Sequence, residues 1–158
     1  MDPLKFYIDG QWIAPSSDKT IAVINPPTED VCQTIAAGNS IDVDRAVAAA
    51  RLAFASFSRS SKSERLALLR RILEVYDSRL DEMAEAISVE MGAPLVMAKD
   101  SQAFCGTAHF EATITALEAM EFEEQRGKTR IVREGIGVCG LITPWNWPMY
   151  QIVTKVAP

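Results

Sequence analysis

The chain has little of what metal and disulfide chemistry needs. There is one histidine in 158 residues and there are only three cysteines. His109 alone cannot supply a histidine-rich metal site. Cys32, Cys105 and Cys139 form an odd, widely spaced set, which excludes a disulfide framework and a zinc pattern. No uninterrupted apolar run approaches ~18 residues, so no membrane-spanning helix is expected. The 16 basic residues are scattered, and the formal net charge is -5. That leaves no cationic stripe able to displace counterions from a nucleic acid. The start, Met1 to Tyr7, lacks the charged-then-apolar order of a signal region. The expectation is a cytoplasmic protein in a reducing compartment, with no nucleic-acid and no membrane partner.

Against these absences, 48% of the residues are hydrophobic and 23% charged. Such a chain has enough apolar surface to offset its ordering entropy, so disorder along the whole length is excluded. The length allows one domain, or one domain and a fragment of another.

The patterning changes along the chain. Phe6-Tyr7-Ile8 and Gln11-Trp12-Ile13 flank Asp9-Gly10, a dipeptide suited to a type I′ hairpin turn. Thr20 to Ile24 and Val31 to Ala36 read as strands around the turn chemistry of Asn25 to Asp30. Helical periodicity then takes over. Asp42 is expected to cap a helix to about Ser56, with Val47, Ala50, Phe54 and Phe57 near one face. Ser61 and Glu64 have capping-box spacing. The helix behind them puts Leu66, Leu69, Leu73 and Tyr76 on one stripe. Leu80 to Met91 is expected to end at Gly92, with Pro94 beyond it. A further helix covers about Leu95 to Glu121, with Phe110, Ile114 and Leu117 in register.

Glu121 to Lys128 reads as a solvated turn. Thr129 to Glu134 is a short β run. Val138 to Thr143 is apolar and short, as suits a strand buried on both faces. Pro144 to Pro148 is a turn, and Met149 to Ala157 begins a helix with Pro148 in its first turn. A buried parallel strand needs neighbours on both sides, supplied by further βα units. The expectation is therefore that the polypeptide stops partway through a domain.

Two motifs bear on chemistry. Gly135-Ile136-Gly137-Val138-Cys139-Gly140 matches GxGxxG in letters, but these glycines precede the apolar strand and open no helix. A glycine-flexed junction is the better reading. Leu141-Ile142-Thr143-Pro144-Trp145-Asn146-Trp147-Pro148 sets an amide, two indoles and two prolines at a strand's carboxyl end, where open α/β sheets bind ligands. Two readings of Asn146 stand side by side. Its amide can donate to a developing oxyanion from a stiff turn, or it can cap the following helix. Trp145 and Trp147 suit packing more readily than a ligand platform.

With these segments on the page, the chain from about Leu4 to Pro158 resembles the aldehyde dehydrogenase superfamily. The likeness is carried by Phe6-Tyr7-Ile8-Asp9-Gly10-Gln11-Trp12, Val23-Ile24-Asn25-Pro26, Asp42 to Arg51, Glu64-Arg65, Glu90-Met91-Gly92-Ala93-Pro94 and Gly137 to Pro148. The resemblance implies NAD(P)-dependent oxidation of an aldehyde to a carboxylic acid. In the family a cysteine thiolate attacks the aldehyde, the thiohemiacetal gives up hydride to the nicotinamide, and a glutamate-activated water releases the acid. The oxyanion-stabilising asparagine falls on Asn146. Ile142, Thr143, Pro144 and Trp145 correspond to the wall of the cofactor cleft, and Trp147 and Tyr150 lie near the start of the substrate channel. A bulky aromatic lining there would favour apolar aldehydes. Cys139 falls inside the first strand of the nucleotide domain and is expected to be a buried structural thiol. Glu90 falls near a position that helps hold a monovalent cation in some relatives, and no metal site is assigned on that account.

The resemblance covers about the first third of a family member. The implied fold is the N-terminal part of an α/β architecture: antiparallel bridging strands, helices, and the start of a Rossmann-like parallel sheet. Residues 1–40 would be strands of the bridging region, 41–122 the helical part of the NAD(P)-binding domain, 123–136 a bridging strand, and 137–158 the first strand-turn-helix of the nucleotide domain. The nucleophile and general base would lie beyond Pro158, so the chain alone is expected to be inactive. The bridging strands imply a homo-oligomer, with main-chain hydrogen bonds adding an edge strand to a partner sheet. A different class of reading is a non-catalytic interaction module that pairs with full-length subunits. A free-standing nucleotide binder is weaker, because the phosphate-contacting parts are missing.

Overall fold

The structure is a computed structural model and describes residues 2–158. Its strands are three separate antiparallel hairpins. β1 (Phe6–Ile8) pairs with β2 (Gln11–Ile13). The connecting Asp9 and Gly10 have φ of 52° and 73°, the left-handed pair that a type I′ turn requires. Tyr7 faces Trp12 across the ladder, with ring centroids 5.2 Å apart. β3 (Thr20–Ile24) pairs with β4 (Val31–Ala36), as the β-rich composition implied. β5 (Glu123–Arg126) pairs with β6 (Thr129–Val132) around Gly127.

β5 corrects the expectation of a solvated turn over Glu121 to Lys128. Its polar sequence pairs because the charges answer one another. Arg130 donates to Glu123 at 2.7 Å, and Arg126 to Glu124 at 2.6 Å. One opposite-charge pair on each face of the hairpin, Arg130–Glu123 across the strands and Arg126–Glu124 along β5, supports the ladder that hydrophobic pattern alone did not announce.

α1 (Ser40–Phe57) starts three residues earlier than expected, and its N-cap is Asn39. Asn39 Oδ1 accepts from the Ile41 and Asp42 amides, while Asp42 accepts from the Asn39 amide at 3.2 Å. Asp42 is thus the returning half of a capping box and not the cap itself. The stripe on α1 is only partly covered: Phe54 is half-buried beside Gly135, and Phe57 is exposed. α2 (Lys62–Asp77) has the expected box between Ser61 and Glu64. The Ser61 amide and hydroxyl hold the Glu64 carboxyl below its ordinary range. α3 (Leu80–Met91) ends at Gly92 with φ 78°, where only glycine rests without strain. Pro26 and Pro27 press on that glycine, 3.1 and 3.2 Å from where a Cβ would stand.

The expected helix from Leu95 is present but not uniform. α4 (Leu95–Met97) runs into a π-helical stretch (Ala98–Ala103) and then α5 (Phe104–Ala119). The Phe104 amide reaches back five residues to the Lys99 carbonyl. That widened turn, hard to read from side-chain period alone, still delivers Phe110 and Ile114 into the core.

The core lies where α2, α3, α5 and the last helix meet. It is built on Leu69, Ala84, Ile87, Ala98, Ala103, Phe110, Ile114, Met149 and Val153. Ala98 and Ala103 are fully buried, so helices approach closely there. Tyr76 of α2 donates to the Ala103 carbonyl at 2.6 Å and packs on Phe110, centroids 5.9 Å apart.

Residues 133–147 carry no regular secondary structure. The expected strand from Val138 to Thr143 has no ladder partner among the described residues, and every observed pairing is antiparallel. A parallel strand is held by its neighbours, and none of the three hairpins pairs with this run. Cys139, expected to be buried inside that strand, is accordingly exposed. α6 (Pro148–Val156) follows, with Pro148 at its first turn as expected.

Candidate functional site at the start of α6

α6 is anchored by Met149 and Val153, 8% and 1% exposed, against α5 and the π-helical stretch. That packing fixes the turn that precedes the helix. The N-cap of α6 is Trp147, and no side chain caps it. Asn146 is exposed, and no hydrogen bond to its side chain is made by the described residues. The capping role weighed for Asn146 is not realised. Its amide stands at the N-terminal end of the helix, where the aligned peptide dipoles favour negative charge.

Upstream, Ile142 is 90% exposed and Trp145 79%. Thr143 and Pro144 are exposed between them. Such apolar surface on one irregular run suits a planar, partly apolar ligand laid along it.

Beside this turn α5 and α6 flank an open depression of about 360 Å³, lined by Cys105, His109, Trp147, Tyr150 and Gln151. The His109 and Tyr150 rings meet edge to face, 4.7 Å between centroids at 66°. The Gln151 amide oxygen accepts from Lys155 Nζ at 3.0 Å. Trp147 and Tyr150 both line this depression. Cys105 and His109 were not connected with them in the sequence, although their spacing of four puts both on one face of α5.

A second groove of about 420 Å³ runs between α2 and α3, lined by Ile72, Val75, Tyr76, Arg79, Glu82, Met83 and Ala86. Its charges are spent on each other. Arg79 donates to Glu82 at 2.8 Å, which raises the guanidinium pKa and lowers that of the carboxyl. Burial, with Asp77 and Cys105 nearby, pushes the Tyr76 hydroxyl up to about 12. Among the described residues no three potential metal ligands cluster, and Glu90 is exposed.

The model of the aldehyde dehydrogenase family matches residues 12–158. The chain belongs to the aldehyde dehydrogenase family. It is 52% identical, over 99% of its length, to a 3-succinoylsemialdehyde-pyridine dehydrogenase of a Pseudomonas species. Among solved structures it is similar to a mutant aldehyde dehydrogenase C of Pseudomonas syringae in complex with NAD+ and octanal. There the identity is 50% and the TM-score 0.96, covering 98% of this chain and 32% of that one. An aldehyde dehydrogenase of Bartonella henselae gives 42% and 0.94, covering 97% and 33%. The chain spans about a third of the length of the curated relatives it matches.

Proposed function

We propose that these residues are the N-terminal third of an NAD(P)-dependent aldehyde dehydrogenase, in which Asn146 is the catalytic oxyanion donor. The observation that carries this reading is the unengaged Asn146 amide at the start of a helix whose own N-terminus has no side-chain cap. As an attacking group adds to an aldehyde, negative charge grows on the carbonyl oxygen. A fixed, neutral N–H donor stabilises that charge without reorganising. The proline-bounded turn and the buried anchors of α6 hold the donor in place.

Ile142, Thr143, Pro144 and Trp145 would form one wall for the cofactor, which when bound accepts the hydride. Relatives crystallised with NAD+ support that use. Trp147 and Tyr150 would border the aldehyde's path. None of Cys32, Cys105 and Cys139 is assigned the attack. The nucleophile and the general base are placed outside these residues, so the 158-residue chain alone turns over no aldehyde.

The same reading assigns residues 1–40 and 123–136 to a bridging region that pairs subunits into a homo-oligomer. Residues 41–122 and 137–158 go to the nucleotide domain. Supporting it, β5 and β6 form a two-stranded ladder that leaves each with a free edge, and Val132 is 48% exposed. Three unpaired thiols, two of them exposed, support a reducing, cytoplasmic location. The free edges also favour a second reading, a module that pairs with full-length subunits without chemistry of its own.

The deciding experiment is the intact mass of the native polypeptide together with its aldehyde-dependent NAD(P)H formation. A mass about three times that of 158 residues, with turnover, supports the dehydrogenase. A mass matching 158 residues, no turnover, and co-migration with a full-length homologue would move the conclusion to the pairing module.

A further inference from the structure

We infer that Arg65 is a clamp that, with Lys62 beside it, presets the β5–β6 hairpin for pairing with a second copy of this chain. This rests on the subunit-pairing reading above. The hairpin has no third strand, so its ladder does not fix the direction in which it projects. Met120 leaves α5 with an extended backbone, φ -75° and ψ 131°. A residue at the end of a helix is a hinge unless something holds it. The direction of the hairpin is therefore set by what grips its base.

The grip comes from the corner where α1 passes into α2. Lys62 Nζ donates to the Glu118 and Met120 carbonyls, 2.8 Å each, and stands 3.7 Å from the Glu121 carboxylate. It thus spans the hinge, from α5 to the residue beyond. The Arg65 guanidinium lies over the Phe122 ring at 5.5 Å and over the Phe57 ring at 5.8 Å. Its edge is held separately. Nε donates to Ser60 Oγ at 2.9 Å and Nη2 to the Ser58 carbonyl at 3.1 Å. A planar cation fixed by its edge can stack on rings, which an ammonium cannot do. The Phe122 carbonyl accepts from the Arg133 amide at 2.8 Å, so this residue is tied to the return strand as well. Beyond that strand Gly135 lies against Phe54 of α1. Both legs of the hairpin come down on one corner. A hairpin free to swing is competent to pair only part of the time, and the observed affinity falls by that fraction.

The test follows the native polypeptide carrying these residues by mass photometry, through dilution series at graded urea concentrations, beside its thermal melt. Phe122→Leu removes the ring on the hairpin side of the guanidinium, and Phe57→Leu the ring on the α1 side. Phe122→Leu is expected to raise the dissociation constant about two- to fivefold, the range of one cation–π contact. Phe57→Leu is expected to leave it unchanged, although both variants lose the same kind of contact. Arg65→Met is expected to raise it at least as much as Phe122→Leu. In the Arg65→Met background Phe122→Leu should add nothing further. Should Arg65→Met fail to accumulate, the comparison of the two phenylalanine variants carries the test. Equal shifts for those two, no shift for Phe122→Leu, or a full further loss in the Arg65→Met background overturns the inference and leaves the pairing reading intact. A wild type that is monomeric at every concentration overturns both.

Discussion

Ser16 and Asp42 bind each other through two hydrogen bonds. The Ser16 amide donates to Asp42 Oδ1 at 2.9 Å, and its hydroxyl to Oδ2 at 2.9 Å. This contact pins the segment after the first hairpin to the first turn of α1. The Asp42 carboxyl is 4% exposed. Burial alone would raise its pKa. The hydrogen bonds from Ser16 and Asn39, with Arg45 nearby, outweigh that and hold it below the ordinary value of 3.8. The folded value lies below the unfolded one. The contribution of the pair is therefore complete above 3.8 and is lost as pH falls through the lower folded value. Thermal melts of Asp42→Asn and the wild type should differ at neutral pH and converge in strong acid. A gap that widens on acidification would contradict the assignment.

Gly106 faces the ring of Tyr76 across the α2–α5 contact. A Cβ there would stand 2.5 Å from Tyr76 Cζ. The ring is fixed by its bond to the Ala103 carbonyl and by Phe110, so it cannot swing aside. Gly106→Ala is expected to cost about 2 kcal/mol or more, although alanine is the better helix former. Adding Tyr76→Leu removes the obstructing ring. The two changes together should cost less than their sum by at least ~1 kcal/mol, read from denaturant unfolding. Strict additivity would show that the ring yields.

The parts legible in the sequence are those set by near neighbours. Asp9-Gly10 dictates its hairpin, Ser61 and Glu64 their box, and Gly92 its left-handed stop. Asn146 and the run before it stood out because an amide, two indoles and two prolines are contiguous there, and the structure leaves residues 141–146 exposed. What escaped depends on distant partners. β5 is visible only once Glu123 and Glu124 are seen beside arginines on the facing strand or at its own end. Asn39 is a local exception: it takes the cap from Asp42 by accepting the Ile41 and Asp42 amides. His109 joins Trp147 and Tyr150 only through the packing of α6 on α5. The run from Val138 to Thr143 has strand composition, yet composition cannot supply the neighbours that make a strand.

Gln102 lies in the π-helical stretch and is 2% exposed. Its Oε1 is buried with no hydrogen-bond partner among the described residues. A stranded amide oxygen costs roughly 1–3 kcal/mol of desolvation. Gln102→Met keeps the length of the side chain and removes the stranded atom. It is expected to leave stability unchanged or raise it by about 1 kcal/mol in urea unfolding. A clear loss would mean that the oxygen has a partner.

Asn146 gives the sharpest separation between binding and chemistry. An interaction that exists only when charge develops on the carbonyl oxygen lowers kcat and kcat/KM together when it is removed. Asn146→Ala in the native polypeptide is therefore expected to reduce kcat by about 100- to 1,000-fold, the range for one oxyanion donor, with KM little changed. The α6 turn should survive, because Met149 and Val153 anchor it and Asn146 makes no cap. A circular dichroism melt coincident with the wild type would confirm that survival. A large rise in KM with kcat preserved would instead make Asn146 a ground-state binding residue. A drop in melting temperature with kcat intact would return it to the structural role that the uncapped start of α6 argues against.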